Sequence, residues 1–175
     1  PDHLARMALF KVNTGCREQE VCGLRWDYEV KVPELNTSVF LIPKEHVKNG
    51  EERLVVLNRV AKWVVERLRG SHPTDVFVHT TKKQSEPQPV KKMNNTAWKS
   101  ARERAAEKWA KRHGEPAPDG FRRVRVHDLK HTFGRRLRAA GVTFEDRQDL
   151  LGHRSGRITT HYSQAELGNL IAAAD

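Results

Sequence analysis

The sequence has little cysteine, little tyrosine and no long apolar run. Cys16 and Cys22 are the only cysteines among 175 residues, which is too few for a disulfide framework. They fall six positions apart in a stretch expected to be helical, so we expect reduced thiols in the core. No apolar run approaches the length of a membrane span, and no signal peptide is visible. These features argue against a disulfide-rich secreted protein and favour a cytoplasmic protein without a membrane partner.

Positive charge, in contrast, is abundant. The chain has 32 Lys and Arg against 22 Asp and Glu, a formal net charge of +10. Apolar residues make up 37% and charged residues 31%, a composition that is polar but still able to form a core. The length suggests one domain. The excess of positive charge predicts a polyanion as partner, most simply nucleic acid.

Periodicity and turn signals predict a mainly α-helical chain with a small three-stranded antiparallel β-sheet. Asn58 is a good helix cap, and Asn49-Gly50 is typical of a hairpin turn between the second and third strands. We expect helices over residues 3–13, 17–24, 59–69, 92–112, 127–140, 144–151, 155–162 and 165–174. We expect strands over residues 26–32, 37–42 and 53–57, with a short extended segment at 76–78 and a loop at 80–90.

The chemistry-bearing residues lie in five short motifs. In chain order these are Thr14-Gly15-Cys16-Arg17-Glu18, Val47-Lys48-Asn49-Gly50, His127-Asp128-Leu129-Lys130-His131, Leu151-Gly152-His153-Arg154-Ser155 and Tyr162. Cleavage of a phosphodiester requires a nucleophile, stabilisation of the developing charge, and a proton for the leaving oxygen. One phenol, several cations and two imidazoles can fill these roles without a metal.

Each candidate suits one role. Tyr162 is one of only two tyrosines and is the candidate nucleophile. The guanidinium of Arg17 offers a fork for two phosphate oxygens. Lys48, near a turn, can donate a proton as a general acid. His127 and Lys130 share a helix face because they are three positions apart.

This order of motifs resembles the catalytic domain of the tyrosine recombinases, the phage integrase family, from about Leu4 to the C-terminus. The resemblance implies that Tyr162 forms a 3′-phosphotyrosyl link and frees a 5′-hydroxyl. It further implies that Arg17 binds the phosphate, that Lys48 is the general acid and that His127 is the acid–base histidine. His153 then hydrogen-bonds the phosphate in the transition state.

What the resemblance implies for partners is equally specific. The family acts on double-stranded DNA without metal or nucleotide cofactors, usually as four protomers, so we expect a nucleoid-associated protein. An N-terminal core-binding domain is expected by resemblance, and the chain lacks it. Because the chain opens at Pro1 without an initiator Met, we interpret residues 1–175 as a catalytic domain excised from a longer protein.

One position departs from the commonest family pattern, His-x-x-Arg: the chain has Lys130 where the arginine is expected. Lysine keeps the charge but loses the two-donor fork. One alternative therefore stays open, a DNA-binding module that has lost catalysis. A second is the close chemical alternative, strand relaxation of the type IB topoisomerase kind. A metal site is a third, since His127 and His131 have the i, i+4 spacing of a zinc helix. Asp128 replaces the glutamate of that motif, however, and no third ligand is evident.

Overall fold

The computed structural model describes residues 1–80, 85–153 and 163–175. It confirms a mainly α-helical fold with a small three-stranded antiparallel sheet. The helices are α1 (Asp2–Thr14), α2 (Glu18–Cys22), α3 (Arg59–Glu66), α4 (Thr96–His113), α5 (Gly120–Arg123), α6 (Val126–Ala139), α7 (Phe144–Leu151) and α8 (Gln164–Ala174). The strands are β1 (Glu29–Val32), β2 (Thr37–Ile42), β3 (Arg53–Val56), β4 (Val78–His79) and β5 (Gln88–Pro89).

The sheet has the order β1-β2-β3, with both neighbouring pairs antiparallel. Its register places Val39 opposite Val30 on one side and Val56 on the other. The first predicted strand is wrong at its start, because residues 26–28 form a 3-10 turn and only Glu29–Val32 pair with β2. The hydrogen bonds explain the difference. Trp26 N–H donates to the Thr74 carbonyl, so this segment follows residues 74–76 instead of β2.

The connection between β2 and β3 is longer than a two-residue hairpin. A 3-10 turn occupies Lys44–His46, and a tight turn follows in which Gly50 N–H donates to the Val47 carbonyl at 2.9 Å. Gly50 has a φ of 71°, a conformation that glycine adopts without strain. The prediction that Lys48 lies on a turn between the second and third strands is therefore confirmed.

Helix boundaries follow local capping. Asn58 and Asn95 accept from the backbone N–H of Ala61 and Trp98, which fixes the starts of α3 and α4. The predicted basic helix thus begins at residue 96 and not at 92. Three short elements differ from the expectation. The one-turn helix α5 was not predicted, β4 overlaps the predicted extended segment 76–78 only at Val78, and β5 forms within the predicted loop 80–90. All three are too short to show a hydrophobic period.

Two apolar clusters lie on the opposite faces of β2 and β3, because alternate residues of a strand point to opposite sides. Phe40 and Val55 belong to the cluster that includes α1 and α3, whereas Val39, Leu54 and Val56 pack with α6, α7 and α8. The helix α1 contacts both α3 and α6. This packing brings the end of α1, the start of β3 and the end of α7 together.

Both cysteines are free thiols, as predicted. Cys16 is fully buried but lies between α1 and α2, outside either helix, and Cys22 is half-buried. Within the three described ranges, no helix has the length and apolar character needed to span a membrane.

Candidate active site

Arg17 is placed by a sharp turn between two helices. The helix α1 ends at Gly15, which has a φ of 65°, and a Cβ there would lie 2.7 Å from the ring of Phe133. Arg17 then becomes the N-cap of α2, and its own N–H and its Nη1 donate to the two carboxylate oxygens of Glu20, each at 2.7 Å. The guanidinium is held by α2 while 24% of the side chain stays exposed. It is therefore fixed and still accessible.

The carboxylate that holds Arg17 is itself buried. Burial raises the pKa of Glu20, but the Arg53 guanidinium and the hydrogen bonds from Arg17 outweigh it, so the pKa lies below its ordinary value. Glu20 therefore stays ionised. It orients Arg17 and compensates part of the positive charge around it.

Lys130 of α6 is buried, at 6% exposure, and its ammonium donates a short hydrogen bond to the Leu151 carbonyl. Burial, and then the positive charges of Arg53 and Arg17, lower the pKa of Lys130 to about 7. The protonated form of Lys130 is therefore destabilised by its surroundings. Lys130 and Arg17 are thus electrostatically coupled.

The last turn of α7 receives a hydrogen bond at every carbonyl from residue 149 to residue 152, a group that we call the α7 carbonyl end. Arg53 Nη1 and Nη2 donate to Asp149 and Leu150 at 2.7 and 2.6 Å, Lys130 donates to Leu151, and Arg17 Nη2 donates to Gly152 at 3.4 Å. A helix C-terminus has unpaired carbonyls and partial negative charge, so it attracts cations. Three cations from β3, α6 and the start of α2 therefore meet at one point.

His153 directly follows this carbonyl end. Gly152, with a φ of 60°, terminates α7, and His153 N–H donates to the Gln148 carbonyl at 2.9 Å. Desolvation, and then the positive charges of Lys130 and Arg17, lower the pKa of His153. The imidazole is exposed and favours its neutral form, which has one N–H to donate to a phosphate oxygen.

His127 lies at the start of α6 with its exposed ring edge-on to His131, the centroids 4.5 Å apart. Desolvation, and then the charges of His131 and Lys11, lower the pKa of His127. Lys11 is fully buried and its ammonium donates to the Cys16 carbonyl, so it stiffens the turn before Arg17. In the described part of the chain, no three His, Cys, Asp or Glu side chains are grouped to hold a metal.

Three predicted site residues are not brought into this cluster by any described contact: His127, whose described ring contact is with His131, Lys48 and Tyr162. Lys48 is exposed, and within residues 1–80, 85–153 and 163–175 no hydrogen bond or ion pair joins it to the other candidates. Tyr162 lies outside the described residues, as does the predicted helix at 155–162. The roles of all six candidate residues remain predictions.

An open groove of about 850 Å³ runs from this cluster between α6 and α7. Lys130 and His153 line one part of it. Arg135, Arg138 and Arg147 add three further cations to its walls. Among the described lining residues the one carboxylate is that of Asp128, which is paired with Arg125 at 2.9 Å. The groove therefore has the positive field that a phosphate backbone requires.

The basic helix α4 is attached to the same site by Glu18, the neighbour of Arg17. One Glu18 oxygen accepts from the N–H groups of Met93 and Asn94 at 2.7 and 2.8 Å, just before α4 begins. The exposed cations of this helix are Lys99, Arg104, Lys108, Lys111 and Arg112. Because Glu18 is adjacent to Arg17 in the chain, it connects this phosphate-binding candidate with the basic surface of α4.

Residues 2–167 match the phage integrase family, which is nearly the whole chain. The chain belongs to this family. The integrase of Salmonella phage P22 is 30% identical over 172 residues, covering 94% of this chain and 40% of that protein. The tyrosine recombinase XerC of Thermodesulfovibrio yellowstonii is 30% identical over 166 residues, covering 93% of this chain and 50% of that protein. The integrase-family chain thus spans half or less of these relatives.

Solved structures of the Tn1549 transposon integrase have the same fold. A complex with transposon right-end DNA aligns with a TM-score of 0.56 at 18% identity, covering 96% of this chain and 57% of that one. A complex with circular-intermediate DNA aligns with a TM-score of 0.52 at 21% identity, covering 94% and 56%. At these identities the likeness concerns the fold of the integrase-family chain.

Proposed function

We propose that residues 1–175 form the catalytic domain of a tyrosine-type site-specific recombinase that cuts and rejoins double-stranded DNA. The observation that carries the proposal is the meeting of Arg17, Lys130 and His153 at the α7 carbonyl end, beside a cationic groove. The solved relatives are integrases in complex with DNA, which supports DNA as the partner. Membership of the phage integrase family supports the reaction type.

In the proposed reaction the Tyr162 oxygen attacks the scissile phosphorus. A P–O bond to the tyrosine forms, the P–O5′ bond breaks, and the 3′-phosphotyrosyl ester keeps the bond energy for rejoining. Arg17 and Lys130 stabilise the charge that develops on the non-bridging oxygens, and His153 donates its N–H to one of them. The ester is reversed when a 5′-hydroxyl of a recombining strand attacks the same phosphorus.

Two proton transfers accompany this step. A phenol has a pKa near 10, so Tyr162 must lose its proton to a base as it attacks. The lowered pKa of His127 keeps that imidazole neutral at pH 7, which allows it to accept the proton. The leaving 5′-oxygen takes a proton from the ammonium of Lys48, which is exposed on its turn.

Assembly is the other part of the proposal. Recombination exchanges strands between two duplexes, so we infer a synapse of four protomers on nucleoid DNA. Phosphate contacts by the exposed cations of α4 would position each protomer on its duplex without specifying sequence. The link from Glu18 to the start of α4 then places Arg17 relative to the bound backbone.

A second candidate function is favoured by one observation. With its pKa near 7, Lys130 is a weaker cation at neutral pH than the arginine usual in the family. A DNA-binding module that no longer cleaves would tolerate such a change. The test of the first proposal also decides this one.

Tyr162→Phe tests the reaction directly. The protein is incubated with a pool of singly nicked duplexes of randomised sequence, which trap the covalent intermediate because the short cleaved strand diffuses away. We expect the wild-type chain to form a protein–DNA adduct on a denaturing gel. Tyr162→Phe should form none, yet bind the recovered duplexes with nearly unchanged affinity, because only the nucleophilic oxygen is removed.

Tyr28→Phe is the matched control, since Tyr28 is the second tyrosine and packs against the apolar core. It should keep the adduct. An adduct that survives Tyr162→Phe would disprove the assignment of the nucleophile. A wild-type chain that shifts the pool on a native gel without any adduct would favour the DNA-binding module.

A further inference from the structure

Arg53 opens the strand β3, yet its side chain is almost completely buried, at 2% exposure. Its guanidinium bridges two segments that are far apart in the chain. Nη1 donates to the Asp149 carbonyl at 2.7 Å, and Nη2 donates to the Leu150 carbonyl at 2.6 Å and to the Thr14 carbonyl at 3.2 Å. One side chain thus joins the end of α1 to the end of α7.

The same guanidinium is electrostatically coupled to Arg17 through one carboxylate. Nε of Arg53 lies 4.0 Å from Oε2 of Glu20, and that oxygen also accepts from the Arg17 backbone N–H at 2.7 Å. Glu20 Oε1 accepts from Nη1 of Arg17 at 2.7 Å. Displacement of Arg53 would therefore disturb the carboxylate that orients Arg17.

Arg53 also fits closely against the glycine that precedes His153. A Cβ at Gly152 would lie 2.5 Å from Cδ and 2.6 Å from Nε of Arg53, closer than atoms can approach. Gly152 further has a φ of 60°, so the chain turns sharply there. The backbone of residues 149–153 therefore packs directly against the Arg53 side chain.

An apolar side chain would be the usual residue at the buried position 53. All four residues of β3 are buried, and Leu54, Val55 and Val56 already pack in the two clusters. A buried cation costs several kcal/mol in desolvation unless its partners compensate, and an apolar side chain often serves stability as well. A guanidinium offers what no apolar side chain does, a planar fork that fixes several carbonyls in one geometry.

We propose that Arg53 is a positioning residue that sets the geometry between Arg17 and His153 by holding the α7 carbonyl end against the α1–α2 turn. The inference rests on the proposed DNA cleavage. Arg53 touches no reacting atom, and it acts through Glu20, Gly152 and the carbonyls of residues 14, 149 and 150.

Two substitutions separate the fork from the charge. Arg53→Met removes both, and Arg53→Lys keeps the charge but cannot reach all three carbonyls. We expect Arg53→Met to slow single-turnover cleavage of an adduct-forming duplex by about 100-fold, the scale of a misplacement of about 1 Å in an active site. Arg53→Lys should fall between Arg53→Met and wild type. Both should bind the duplex with nearly wild-type affinity, because Arg53 is not exposed to it.

A pH profile distinguishes positioning from stability alone. The Arg53 charge is, after burial, the largest contribution that lowers the pKa of Lys130. As pH rises through about 7, wild-type Lys130 loses its proton, and the second-order rate constant for cleavage should fall. In Arg53→Met the pKa of Lys130 rises, so this fall should move to higher pH, whereas Arg53→Lys should keep the wild-type profile.

Arg69→Met is the matched control. Like Arg53, Arg69 makes several hydrogen bonds, but its partners are Glu29 and Glu66, on another part of the fold. It should lower stability without changing the cleavage rate or its pH profile, when each variant is assayed well below its unfolding temperature. If Arg53→Met does not fold, Arg53→Lys alone provides the test. It is expected to cleave more slowly than wild type with an unchanged pH profile.

Wild-type cleavage rate and pH profile in Arg53→Lys and in a folded Arg53→Met would overturn the inference. So would a slowing in Arg69→Met equal to that in the Arg53 variants, since it would reflect lost stability. A wild-type chain that forms no adduct would instead disprove the proposed function itself.

Discussion

Two charge clusters in this integrase-family chain differ in their balance. Beside β1, Arg69 donates to two carboxylates, Glu29 at 2.6 and 2.9 Å and Glu66 at 2.8 and 3.0 Å. Lys31 adds a second cation, because its ammonium donates to Glu29 at 3.2 Å. At the α7 carbonyl end, in contrast, cations are in excess. Three cations meet there, Arg17, Arg53 and Lys130. In the described part of the chain, Glu20 forms ion pairs with Arg17 and Arg53, and backbone carbonyls accept the other hydrogen bonds of the three cations.

The pKa shifts reflect this difference. The hydrogen bonds from Arg69 hold the pKa of Glu29 down at about 2, so its charge is favoured by the fold. Burial and neighbouring cations lower the pKa of Lys130 to about 7, so its charge is opposed by the fold. A balanced cluster stabilises the structure that contains it. A cluster with excess cation, in which backbone carbonyls supply most of the partners, gains most when an anion binds.

Arg17→Ala should have the largest effect and would sharpen the contrast. Removing the fork should raise the barrier to cleavage by at least about 2.7 kcal/mol, the scale of losing one preorganised donor to a developing anion. The unfolding free energy should change less, because Glu20 keeps Arg53 as a partner. Single-turnover cleavage and urea unfolding of the same preparation measure the two effects.

Arg6→Ala is a suitable control, since Arg6 lies on α1 away from the described contacts of Arg17. A cleavage rate that is unchanged in Arg17→Ala would show that Arg17 is a surface residue. A loss of stability as large as the loss of rate would remove the distinction between the two clusters.

Glu29→Gln should act on stability and leave cleavage intact. Loss of charged hydrogen bonds should cost about 1.5–3 kcal/mol of unfolding free energy at pH 7. Because folding depresses the pKa of Glu29 from 4.5 to about 2, its stabilisation is complete above pH 4.5 and is lost as pH falls through about 2. Urea unfolding between pH 2 and pH 7 should therefore show a steeper acid loss in wild type than in the variant.

Should Glu29→Gln slow cleavage at pH 7 as strongly as Arg17→Ala, the balanced cluster would not be purely structural. An identical acid dependence in variant and wild type would show that another carboxylate governs that range.

Lys130→Arg is expected to change the pH profile more than the rate. Arginine stays protonated across the accessible range and restores the fork. The second-order rate constant for cleavage reports the free protein, in which Lys130 loses its proton as pH rises through about 7. The ratio of wild-type to Lys130→Arg rate constants should therefore fall as pH is raised from 6 to 9.

Wild type and Lys130→Arg both contain Tyr162, so any effect of its ionisation on the rate is the same in both and drops out of the ratio. Lys130→Met, which removes the charge, should be slow at every pH. A ratio that does not vary with pH would show that Lys130 remains charged throughout, and that its surroundings tolerate the cation better than the described contacts indicate.

Local features of the fold could be predicted from the sequence because their causes are local. The bounds of α7 and β2 match the expectation at both ends, and Asn58 caps α3 as predicted. The 3-10 turn at residues 26–28 was missed because its two aromatic residues, Trp26 and Tyr28, are typical of a strand. A tertiary hydrogen bond from Trp26 to Thr74 directs this segment away from β2.

The candidate site was predictable only where a family resemblance supplied the residues. Arg17, Lys130 and His153 do converge, but Arg53 had no assigned role. Its partners are backbone carbonyls 39, 96 and 97 positions away, and such partners have no side-chain signature in the sequence. The one available signal was an arginine that opens an otherwise apolar strand, Arg53-Leu54-Val55-Val56.

The α7 carbonyl end also has a consequence for the order of folding. Its hydrogen bonds close chain separations of 135, 97 and 96 residues for Arg17 and Arg53, and 21 for Lys130. Contacts of such high contact order form slowly, because a long loop must close before any of them stabilises the chain. The helices and the β2–β3 pair can therefore form while Arg17, Arg53 and Lys130 are still apart. Under the proposed function, a partly folded chain would bind DNA through its charge alone, and the capacity to cleave DNA would form last.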